Sequence, residues 1–189
     1  MKKIAAAFFL ILAAVYLPAQ TLSWDIKFLQ GRARDSIPIN QIIRMETGEV
    51  FQIIITPASD SYCYVVYNDS EREIHVLHNQ ALKAGADLVL GPFQLEEPPG
   101  TETLYVVMSL DRQTRLEELI KNHESNPGSR QHSDNLRREV GSLQNAASGL
   151  GEPASAFIAS GGTSRSGSQE YATRFTDKNI YVRAITFRH

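Results

Sequence analysis

YCYVVYN, Tyr62 to Asn68, carries bulky side chains on both faces of an extended chain: Tyr62, Tyr64 and Val66 on one, Cys63, Val65 and Tyr67 on the other. A strand with one side in water alternates apolar and polar residues, and this one does not. The same holds for TLYVVMS, Thr103 to Ser109. Both strands therefore belong to a sheet with a core under one face and a second layer over the other.

The neighbouring sequence supplies the rest of that sheet and its partner. From Trp24 to Ser109 short β-branched and aromatic runs alternate with turn residues, the spacing of an antiparallel sandwich. WDIKFLQ, beginning at Trp24, is the first strand. INQIIRM (39–45) and EVFQIIIT (49–56), joined at Thr47-Gly48, are expected to form a hairpin, with Phe51, Ile53 and Ile55 on one face. NDSERE, from Asn68, is a turn into the strand EIHVLHN. LKAGADLVLGPF turns at Ala84-Gly85 and adds a short strand that ends at Gly91-Pro92.

The covering layer follows. RQTRLEELIKNH sets Leu116, Leu119 and Ile120 at helical spacing, with Asp111 as the expected N-cap. SDNLRREVGSLQNAASGLG aligns Leu136, Val140, Leu143 and Ala147 in one stripe and is expected to stop at Gly149. Joined by ESNPGSRQ, the two predict a helical hairpin packed on the two-faced sheet. ASGGTSRSGSQ is then Gly/Ser-rich, and NIYVRAITFRH returns as a strand, with Tyr181, Ile185 and Phe187 opposite Ile180, Val182 and Ala184. The expected organisation is a signal peptide (1–19), a β-sandwich core (20–110), a helical hairpin (111–150), and a loop with closing strands (151–189). The predicted fold class is mainly β (α+β), an antiparallel immunoglobulin-like β-sandwich with a C-terminal helical hairpin and a closing strand.

The leader reading rests on MKKIAAAFFLILAAVYLPAQT, two lysines before an apolar run from Ile4 to Leu17. That run is shorter than the roughly 20 apolar residues that span a bilayer. Cleavage is expected after Ala19, and the absence of cysteine there excludes a lipoprotein anchor. The expected location is periplasmic or extracellular, with no integral membrane segment after cleavage. Cys63 is the only cysteine among 189 residues, which excludes an intramolecular disulfide and a cysteine-based zinc site. Residues 20–110 carry 6 Lys+Arg against 12 Asp+Glu, and residues 111–189 carry 11 against 9. Neither half has the dense basic patch of a nucleic-acid binder.

No motif commits the chain to chemistry. His75 and His78, three apart on a strand, point to opposite faces unless a bulge intervenes. His123-Glu124 lacks the second histidine of a zinc-protease helix. Gly162 to Ser166 reads GTSRS, without the final glycine of a nucleophile elbow. No catalytic, cofactor-binding or metal-ligating residue is assigned.

The stretch from Glu46 to Ser109 resembles the bacterial family called domain of unknown function 4384. The residues that carry the resemblance are Y-x-Y-V at Tyr62 to Val65, an apolar strand closing on Asn79, the Ala84-Gly85 turn, and PPG-x-E at Pro98 to Glu102. His78 stands where the family has proline. The resemblance implies a β-sandwich accessory module on secreted bacterial proteins, found beside caspase-like protease or kinase domains and without established catalytic residues.

Read together, these features predict a non-enzymatic exported module that binds another cell-envelope protein. The alternatives are an envelope hydrolase using a serine of the Ser160 to Ser166 loop, or a structural envelope component. In the EPPGTE corner, Pro99-Gly100 suits the centre of a type II turn with glycine at positive φ. Glu102 is expected to accept hydrogen bonds from turn amides, a structural role favoured over a ligand contact.

Overall fold

The computed structural model describes residues 21–147, 156–158 and 171–189. The leader, Gly149 and the Ser160 to Ser166 loop lie outside the described residues. In chain order the strands before the helices are β1 (Leu22–Gln30), β2 (Asp35–Ile37), β3 (Ile43–Arg44), β4 (Val50–Pro57), β5 (Ser61–Asn68), β6 (Ile74–Leu82), β7 (Leu88–Gln94) and β8 (Thr101–Ser109). Helices α1 (Thr114–Ser125) and α2 (Arg130–Ala147) follow, then β9 (Ala156–Ile158), β10 (Tyr171–Asp177) and β11 (Ile180–Arg188).

Two sheets face each other. The first has the order β7-β4-β1-β10-β9, with β2 also paired to β1; the second runs β3-β11-β8-β5-β6. The last two strands divide between them: β10 pairs with β1 in the first sheet and β11 with β8 in the second. Between the sheets lie Trp24, Ile26 and Phe28 of β1, Ile53 and Ile55 of β4, Cys63 and Val65 of β5, Leu104, Val106 and Met108 of β8, and Phe175, Ile185 and Phe187. Aromatic rings tie the layers together, with Phe51 and Phe187 centred 5.1 Å apart and Trp24 and Tyr181 6.0 Å apart.

The outer face of the second sheet is covered as its two-faced strands require. Tyr64 and Val66 of β5, Val107 of β8 and Val182 of β11 pack against Leu116 and Ile120 of α1 and Leu136, Val140 and Ala147 of α2. Full burial of one such aliphatic side chain stabilises the fold by about 1.5–3 kcal/mol, so this second core is a principal bond between helices and sheet.

Four local expectations change. INQIIRM and EVFQIIIT form no hairpin, because β3 pairs parallel with β11 while β4 pairs with β1 in the other sheet. That pairing also makes the second sheet mixed rather than wholly antiparallel. Gly91-Pro92 does not end β7. Leu90 pairs with Ile53 and Phe93 with Phe51, so Gly91 and Pro92 oppose Gln52 in a bulge, which an edge strand accommodates with glycine at φ 97°. Asp111 does not cap α1. The N-cap is Gln113, whose backbone N–H donates to the Tyr64 hydroxyl at 2.9 Å, while Asp111 accepts from the Asn179 side chain at 3.0 Å. Gly100, discussed below, is not at positive φ.

Candidate functional site

Glu102 begins the core-facing series of β8 that continues through Leu104, Val106 and Met108, so alternation alone sends its carboxyl inward. It is only 3% exposed. A buried carboxyl requires partners, and the two strands flanking β8 supply them. The Tyr67 hydroxyl of β5 donates to Oε2, and His189 Nε2, just past β11, lies 3.1 Å from Oε1. His189 Nδ1 in turn meets Thr47 Oγ1 at 3.1 Å. Turn amides, the partners expected from sequence, do not appear among these contacts. Burial, with the carboxylate beside it, pushes the Tyr67 phenol well above its ordinary range.

Thr47, His189 and Glu102 have the order of nucleophile, base and orienting carboxylate. The resemblance ends at access, since the His189 side chain is fully buried and has no route to a leaving group. The cluster instead closes the end of the sandwich. The His189 N–H donates to Gly100 O at 3.2 Å and the Met45 N–H to Arg188 O at 3.0 Å. Gly100 is needed for space rather than for φ: a Cβ there would sit 2.8 Å from Cβ of Ser70 in the β5–β6 turn.

The two histidines of β6 are placed by a bulge. Val65 pairs with His78 and Val66 with Val76, leaving Leu77 unopposed, so His78 and His75 both lie opposite core-facing residues, Val65 and Tyr67. They are still not a shared site. His75 Nε2 is 2.9 Å from Asp69 Oδ2, whereas the half-buried His78 bonds to the Gln80 backbone, its burial holding the imidazole below its usual pKa. Among the described residues Asp69, Glu73 and His75 place one ligand atom each within 4.8 Å of one another. Asp69 is also committed to its own turn, accepting from the Glu73 N–H at 2.7 Å.

An open concavity lies elsewhere, between α1 and the edge of the second sheet. It has a volume of ≈ 680 Å³, with Tyr62 and Asn79 to Ala81 on the sheet side and Glu117, Glu118 and Glu124 among the helix residues. Two contacts set its geometry. Tyr64 Oη donates to Glu117 at 2.9 Å near the start of α1, and His123 Nε2 reaches Ile74 O at 2.9 Å near its end. The helix therefore runs along β6 in the opposite direction, with its first turns across the groove from the second half of the strand. Sequence reasoning placed α1 over the sheet but not beside a free edge, because edge position depends on the order of strands.

The fold and this concavity define a β-rich two-sheet domain with a helical layer on one sheet. Among the described residues no helix is long and apolar enough to cross a membrane. No family model, curated protein or solved structure matches the chain.

Proposed function

We propose that this is a non-catalytic, exported accessory module with an immunoglobulin-like fold, in line with the β-sandwich accessory modules that the family 4384 resemblance implies. Its role is to hold another cell-envelope protein at the groove between α1 and β6. The observation that carries this reading is the free edge of β6 beside an open groove. Among the described residues the other sheet edges are blunted: β3 has two residues, β9 has three, and β7 is bulged at Gly91-Pro92. The Glu102 cluster supports the same reading, because its polar atoms serve one another.

Photo-crosslinkers at Gln80 and Glu118, with a control at the exposed Val89 of β7, test it in cells carrying the full chain. One reproducible envelope adduct from the first two positions and none from the third is expected. Labelling of Ser160 or Ser164 by a fluorophosphonate probe would overturn it in favour of a hydrolase, as would the absence of any adduct. An alkaline phosphatase fusion to residues 1–20 tests export, and an inactive fusion would count against it.

A further inference from the structure

β6 is divided by its bulge. The half before Leu77 is tethered to the helical layer through Ile74 O, while His78 to Leu82 continue regular pairing with β5 on one side only. Along this second half the described residues place no strand on the outer side, and the groove opens there. Its strand contains neither proline nor lysine, the residues that commonly guard an exposed edge. Asn79 and Ala81, opposite the helix-facing Tyr64 and Tyr62, are small enough to leave the floor accessible.

The walls carry charge. Arg112 is committed to Glu117, with Nη2 2.6 Å from the carboxylate. That leaves the exposed Glu118 and Glu124 facing the groove with Lys121 as their one counter-charge in the lining. An acidic excess along one wall favours a basic side chain in whatever lies between helix and strand.

Resting on the binding role proposed above, we infer that the partner enters this groove as a short extended segment. It adds a strand to β6 at His78 to Leu82 and presents a lysine or arginine to Glu118 and Glu124. Main-chain hydrogen bonds to the edge supply the affinity, and the acidic wall supplies the preference. Strand addition suits an edge whose N–H and C=O groups are already aligned, because the incoming chain alone bears the ordering cost.

The probe is a phage-displayed library of short linear peptides selected against the full chain. Expected results are enrichment of Lys or Arg, new amide-exchange protection confined to residues 78–82, and about tenfold weaker binding when one central peptide amide is N-methylated. Glu118→Lys with Glu124→Lys, both on the exposed helix face, is expected to reverse the charge preference with an unchanged melting temperature. Binding without protection at 78–82, or without sensitivity to N-methylation, overturns strand addition but leaves a crosslinked partner, and the binding role, standing. No selected peptide at all also overturns the inference, whereas the crosslinking result judges the broader role separately.

Discussion

Glu102 shows what a single inward-facing charge demands at the end of a sandwich. Removing it leaves the Tyr67 hydroxyl and the buried His189 imidazole without their acceptor, so Glu102→Ala is expected to lower the unfolding free energy by about 3 kcal/mol. Urea titration checks this, and Tyr67→Phe in the same background should add little, since the two share one interaction. Tyrosine ionisation gives a second residue-scale outcome. Burial raises Tyr64, Tyr67 and Tyr181 above their ordinary value of 10.0. The folded state thus holds these protons more tightly than the unfolded chain. The resulting stability is complete below pH 10 and is lost as pH rises from there towards the folded-state values. Unfolding titrations from pH 8 to 12 should show that decline, with a shallower slope in Tyr67→Phe. At Gly100, glycine stood out in the sequence but its reason did not: turn geometry and a close approach to Ser70 leave the same residue letter.

At the scale of elements, the two-faced β5 and β8 made the helical cover legible, because covering both sides of a strand follows from composition alone. The energetics of that cover lie in its apolar seam. Ile120→Ala, at a fully buried position, is expected to cost about 2–5 kcal/mol. Arg115→Ala breaks a 3.0 Å pair with Glu139 from a side chain that is 74% exposed, and should cost no more than about 1 kcal/mol. Thermal and urea unfolding of both variants separate the two contributions. What remained illegible was pairing between distant segments. The Thr47-Gly48 turn suggested a hairpin, yet Ile43 pairs with Phe187 instead. The partners of Glu102 lie 35 and 87 positions away, a separation that no local pattern encodes. The groove was hidden for the same reason, since β6 becomes an edge only through the order of the whole sheet.

At the scale of the molecule, the two closing strands are divided between the two sheets. A chain ending at Ala147 lacks β10, one of the partners of β1, and the strand between β3 and β8. Residues 21–147 alone are therefore expected to show no cooperative melt by circular dichroism, and a synthetic 171–189 peptide should restore one. That arrangement has a consequence for synthesis. A polypeptide emerging amino end first displays β1, β4, β5 and β8 long before residues 171–188 exist to join them. Neither layer is complete until the final strand is out. Early folding is thereby withheld by topology, and the commitment to structure is concentrated in the moments after residues 171–188 have emerged.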